Sequence, residues 1–147
     1  MIAQVAVKLV GPMDHLRLIW QTGETLLETV AFDEDPEGNR YNVLLALQEM
    51  VTNVLRHGYQ MDPSRPVEVV FAVTEDSFDV TLRDSGPAFD PLSHEVTENV
   101  TNAEMPTESG GFGIHIARLV MDSLSYRRVD GWNELQMVKG LRTAARA

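Results

Sequence analysis

The sequence predicts an α+β fold, with helices on one face of a mostly antiparallel sheet, and three observations carry that prediction. Short runs alternate apolar and polar residues with period two, as in Val5, Val7 and Leu9 and again in Phe78, Val80 and Leu82, which marks strands. Longer runs, Met13 to Val30 and Asn42 to His57, carry apolar residues at helical spacing. Tight turn signals join strands directly, Thr74-Glu75-Asp76-Ser77 after one strand and Asp130-Gly131 before the last, and strands so joined run antiparallel.

In chain order, the strand around Val5 to Leu9 is punctuated by Gly11-Pro12, which admits the helix Met13 to Val30. Asp33 to Asn39 reads as a polar turn. The helix Asn42 to His57 follows, with Val43, Leu44, Leu47, Met50, Val51, Val54 and Leu55 on one broad face and Asn42, Glu49, Asn53, Arg56 and His57 on the other. Asp62-Pro63-Ser64-Arg65-Pro66 separates it from two strands, Val67 to Val73 and Phe78 to Arg83. Pro91 to Ser109 is polar with little periodicity. Gly110-Gly111-Phe112-Gly113 then precedes a helical run, Ile114 to Leu124, and two strands close the pattern, Ser125 to Val129 and Glu134 to Val138.

At 147 residues and 44% hydrophobic content, the chain has the size and composition of one soluble domain with a real core. Residues 1–147 are therefore expected to form a single domain. Twelve Lys and Arg against 22 Asp and Glu give a net charge of -10, with no basic run, which argues against direct nucleic-acid binding and against an anionic membrane. Cysteine is absent, which removes disulfides, thiolate metal sites and cysteine nucleophiles, and no run reaches membrane-spanning length. A cytoplasmic location is the expectation.

Three segments carry chemistry. A glycine cluster before a helix is either a plain left-handed turn or a place where backbone amides approach a ligand closely and favour phosphate. Glu49 and Asn53 lie one helical turn apart on the polar stripe, which reads either as a face turned to water or as a proton acceptor and a neutral oxygen ligand suited to Mg²⁺ projecting side by side. Asp84 continues the inward register of Phe78, Val80 and Leu82 where Gly86 lets the chain turn, which reads either as an ordinary Asx turn at a strand end or as a carboxylate at the floor of a pocket, poised for the exocyclic amino group of a purine. His15, His57, His94 and His115 have no metal-like spacing and read as surface or packing residues, and Trp20 and Trp132 as core or partner-contact aromatics.

The segments Gln48-Glu49-Met50-Val51-Thr52-Asn53-Val54-Leu55-Arg56-His57-Gly58-Tyr59, Asp84-Ser85-Gly86-Pro87-Ala88-Phe89-Asp90 and Gly110-Gly111-Phe112-Gly113 resemble, in order, the N-box and the two glycine boxes of the GHKL ATPase superfamily. The wording around Glu49 to Tyr59 looks most like the anti-sigma factor serine-protein kinases. The resemblance implies a Bergerat-type ATP-binding fold, a two-layer α/β sandwich with the nucleotide between sheet and helices. It further implies Glu49 as general base, Asn53 as Mg²⁺ ligand, Asp84 on adenine with Gly86 beside it, and Gly110, Gly111, Phe112 and Gly113 at the phosphates beneath a lid, Pro91 to Ser109. Substitution of Gly113 is expected to harm binding more than folding.

The sequence departs from the family pattern at three places. Ala88 stands where a second glycine is usual, the lid holds Glu95, Glu98, Glu104 and Glu108 without Lys or Arg, and the last strands lack the threonine that often sits beside adenine. Phosphoryl transfer calls for positive charge near the γ-phosphate, and Arg56 is the nearest substitute. The expected function is an ATP- and Mg²⁺-dependent protein serine/threonine kinase that phosphorylates an anti-anti-sigma (STAS-type) partner and sequesters a sigma factor. The alternative is a nucleotide-sensing protein-binding module without kinase activity. The Met13 to Val30 helix is read as packing on the sheet, with a homodimer or partner surface as its other use.

Overall fold

A computed structural model describes residues 2–93 and 110–142. Five strands, β1 (Ala3–Leu9), β2 (Val67–Val73), β3 (Ser77–Asp84), β4 (Ser123–Val129) and β5 (Trp132–Gly140), form one sheet in the order β1-β2-β3-β5-β4. All four strand pairs are antiparallel. The helices are α1 (His15–Leu27), α2 (Pro36–Asn53) and α3 (Gly110–Val120). Their buried residues, among them Ile19, Leu27, Leu47, Val51, Ile114 and Ala117, share one apolar cluster with Val69, Phe71, Phe78, Val80 and Met137 of the sheet. This is the two-layer α+β arrangement that the periodicities predict.

Strict alternation decides which sheet face is covered. In β2 the inward Val67, Val69, Phe71 and Val73 are buried, and in β3 Phe78, Val80, Leu82 and Asp84. The opposite face carries a row of alternating charge across all five strands, since Lys8 pairs with Glu68, Glu68 with Arg83, Arg83 with Glu134 and Glu134 with Arg127 in register. Its tightest members are Arg83 to Glu68 at 2.6 Å, Arg83 to Glu134 at 2.9 Å and Arg127 to Glu134 at 2.7 Å. Opposite charges placed directly across strands favour this register over a slipped one. Trp132 lies on this face beneath the Arg83 guanidinium, while Trp20 packs against the core and meets Tyr41 edge to face.

Several boundaries differ from the sequence reading. The expected polar turn Asp33 to Asn39 is half helix: Asp35, at φ 39°, caps α2 by accepting from the Gly38 amide, and Pro36 fills the first helical position. The α-helix ends at Asn53, and Val54–Gly58 forms a π-helical turn closed by Tyr59 N–H to Val54 O at 2.8 Å. The extra residue per turn rotates Arg56 off the stripe it would share with Asn53, and Arg56 is exposed. After α3, Leu124 belongs to β4 and not to the helix. The last hairpin turns at Asp130 (φ 50°) and Gly131 (φ 83°), the paired left-handed residues of a tight primed turn. No helix among the described residues is long and apolar enough to cross a membrane.

Candidate nucleotide site

Asp84 closes the buried register of β3 and is only 7% exposed. A carboxylate so placed needs donors. Its Oδ1 has two, the Gly86 amide at 2.9 Å and the Asn133 Nδ2 at 3.0 Å. Among the described residues nothing donates to Oδ2, and Asp84 lines a cavity of about 240 Å³. The walls are mainly apolar, with Met50, Val54, Leu82, Pro87, Phe89 and Leu135, and the polar side chains that enter include Asn53 and Asn133. One anionic acceptor at the floor of an apolar slot suits a flat ring bearing an amino group.

The turn after Asp84 is held from several sides. Tyr59 OH accepts from the Ser85 amide at 2.7 Å and donates to the Pro66 carbonyl. Arg65 stacks on the Tyr59 ring at 4.8 Å and donates to Ser85 O at 2.6 Å. Arg128 donates to Gly86 O at 2.8 Å, and Asn133 Nδ2 to Pro87 O at 2.9 Å. Gly86 itself is hemmed in, because a Cβ there would stand 3.0 Å from Asp84 Oδ1 and 3.4 Å from Gly58 O. The floor of the cavity is therefore preorganised before any ligand enters.

Glu49 and Asn53, one turn apart on α2, are both half-buried. Asn53 faces the cavity, and Glu49 lies against the first turn of α3, where a Cβ on Gly113 would stand 2.9 Å from Glu49 Cβ and 3.1 Å from Oε1. Gly110, Gly111 and Phe112 open that same helix, whose leading amides have no helical carbonyl to bond. A carboxylate, an amide oxygen and a helix start thus converge beside the slot. Gly113 is required for close packing of α3 on α2, so a bulky residue there damages packing as well as binding, which revises the expectation drawn from sequence.

The structure brings Asn53 and Asp84 to one cavity, with the Gly86 amide bonded to Asp84 rather than lining it, and sets Glu49 and Gly113 beside each other. Arg56 does not line the cavity, whereas its neighbour His57, read from sequence as a surface or packing residue, does. Of the lid, Pro91–Ser93 forms a short 3₁₀ turn, held by Arg118 donating to Leu92 O at 2.5 Å, while 94–109, with His94 and the four glutamates, lies outside the described residues. No cluster of three metal-binding acids or histidines occurs among the described residues. An amide and a carboxylate oxygen side by side fit a Mg²⁺ ion that takes its other ligands from phosphate and water.

Sequence reasoning missed Asn133 and Tyr126, both at the cavity. Asn133 is 6% exposed and occupies the inward register of β5 with Leu135 and Met137. A polar residue in a buried register is the signal that singled out Asp84. It was lost here because the expected strand began one residue later, at Glu134.

Residues 13–139 match the family described as the histidine kinase-like ATPase domain. The chain is 30% identical over 103 residues to the serine/threonine-protein kinase BtrW of Bordetella bronchiseptica, covering 67% of this chain and 68% of that protein. It is likewise 30% identical over 103 residues to an anti-sigma F factor of Clostridium perfringens, covering 69% and 73%. The histidine kinase domain of the blue-light-activated histidine kinase from Erythrobacter litoralis EL346 superposes with a TM-score of 0.55 at 18% identity, over 86% of this chain and 59% of that one. That likeness is one of fold.

Proposed function

The chain belongs to the histidine kinase-like ATPase domain family, and from that premise we propose that it is a single-domain, ATP-binding protein serine kinase and anti-sigma factor. Its partners would be an anti-anti-sigma protein of the STAS type, which it phosphorylates, and a sigma factor, which it sequesters in the cytoplasm. The observation that carries this reading is Asp84, whose Oδ2 is left to the apolar slot while Oδ1 is tied down. An adenine amino group donates to that oxygen, and the 6-oxo group of guanine would be repelled by it.

With the base in the slot, the phosphates extend toward Asn53 and the start of α3, where helix amides hold anionic oxygens. Bound Mg²⁺ would neutralise phosphate charge, with Asn53 supplying one oxygen ligand. Glu49 accepts the proton of the incoming serine hydroxyl. The new bond joins the serine oxygen to the γ-phosphorus, the bond between that phosphorus and the bridging oxygen breaks, and ADP leaves. Close packing against Gly113 restricts the Glu49 rotamer, which keeps the base aimed at one place.

Glu49→Gln keeps the shape of the site and removes the base. The expected result is loss of phosphoryl transfer by about 10²-fold or more with ADP affinity within about threefold of wild type. Transfer at the wild-type rate would refute the role. One observation favours the second reading, a nucleotide-sensing binding module without kinase activity: no Lys or Arg lines the cavity among the described residues. Nucleotide binding with no transfer to any anti-anti-sigma protein in the wild type would establish that reading.

A further inference from the structure

Asn133 stands opposite Asp84 in the β3–β5 register and is the most heavily bonded side chain of the site. Its Oδ1 receives Tyr126 OH at 2.5 Å, Arg128 Nη1 at 3.0 Å and the Phe89 amide at 3.4 Å. Three donors on one side settle the orientation of the amide, because the flipped form would aim N–H groups at N–H and O–H donors. The Nδ2 group is thereby committed to Asp84 Oδ1 and Pro87 O, at 3.0 and 2.9 Å.

Two consequences follow for the carboxylate. Held by Asn133 and by the Gly86 amide through one oxygen, Asp84 cannot rotate to present either oxygen equally, and a single acceptor faces the slot. Arg128 is kept on Asn133 Oδ1 and Gly86 O. Without the Asn133 oxygen, this guanidinium is free to turn to the Asp84 carboxylate and occupy the acceptor that a base would use.

Resting on the adenine-nucleotide reading above, the geometry points to Asn133 as the positioning residue that sets base specificity. It acts through Asp84, by fixing the carboxylate and by holding Arg128 away from it. Tyr126 supports it from β4 through the bond to Oδ1. A residue with a merely structural role would change stability, or would weaken all nucleotides alike; Asn133 changes the discrimination between a 6-amino and a 6-oxo purine.

The test is calorimetric titration of the full chain with ADP and with inosine diphosphate in Mg²⁺, for wild type, Asn133→Ala and Tyr126→Phe, with melting temperatures taken in parallel. Wild type is expected to prefer ADP. In Asn133→Ala that preference falls by about tenfold or more, the size of one hydrogen bond to a charged group, while inosine diphosphate affinity shifts by less than about threefold. Tyr126→Phe lowers the preference in the same direction by about threefold. Equal loss of both affinities in Asn133→Ala, or an unchanged preference, overturns the inference and leaves the nucleotide reading intact. If Asn133→Ala does not fold, an unchanged preference in Tyr126→Phe overturns it. Wild type that binds neither nucleotide defeats the underlying reading and the inference with it.

Discussion

Gly113 on α3 and Glu49 on α2 approach so closely that a Cβ on the glycine would stand 2.9 Å from the Glu49 Cβ. Real carbon pairs do not pack at that distance, and a Cβ cannot swing aside as a side-chain tip can. The two helices that frame the expected phosphate end of the site are therefore locked at a spacing only glycine permits.

Gly113→Val forces α3 away from α2 and displaces Glu49. The expected cost is about 2 kcal/mol, more than the small gain in helix propensity over glycine. Thermal melting checks it through a fall of several degrees, accompanied by weaker ADP binding. A variant with unchanged melting temperature would show that the helices have slack at this point.

Asp35 caps α2 from a left-handed backbone position. Asp35→Ala loses the cap and keeps a Cβ at φ 39° without the side-chain oxygen that lets aspartate tolerate that region, for an expected loss of about 1–2 kcal/mol in urea denaturation. Asp35→Gly loses the same hydrogen bond but tolerates the backbone, so it should stay within a few tenths of a kcal/mol of wild type. Equal effects of the two would mean that the backbone conformation contributes nothing.

Glu134 is the acid that joins Arg127 and Arg83 in the sheet's charged row. The hydrogen bond from Arg127 holds its carboxyl below the usual range, against the opposing effect of burial, with Arg83 adding to the lowering. A folded-state pKa below the unfolded one stabilises the protein above the unfolded value and ceases to do so as pH falls through the folded value. Glu134→Gln should cost on the order of 1 kcal/mol at pH 7, and the gap to wild type should shrink as pH falls through the lowered folded-state value. A gap that does not change on acidification would point to packing, not charge.

Much of this molecule is legible from sequence because apolar alternation and helical spacing record which face each residue buries. Val67–Val73 reads as a strand with its true bounds, and Asp84 declares itself as an acid in an inward register. The π-helical turn Val54–Gly58 does not, since five residues are too few for a changed period to show. Asp35-Pro36 carried a readable helix start, obscured by the acids around it. Asn133 was recoverable by the argument that found Asp84. Its bonds to Asp84 and Pro87 were not, because they depend on β5 lying beside β3, a strand order that no local pattern encodes.

Asp84 is the proposed acceptor for a nucleotide base, and the rest of the proposed site is placed relative to it. Calorimetric titration with ADP in Mg²⁺ compares wild type with Asp84→Asn, which preserves size and leaves an oxygen available to the Gly86 amide. Saturable binding to wild type and a loss of about tenfold to a hundredfold in the variant, at a melting temperature within a few degrees, is the predicted result. Equal ADP affinity in the two proteins, or no binding to wild type, would contradict it.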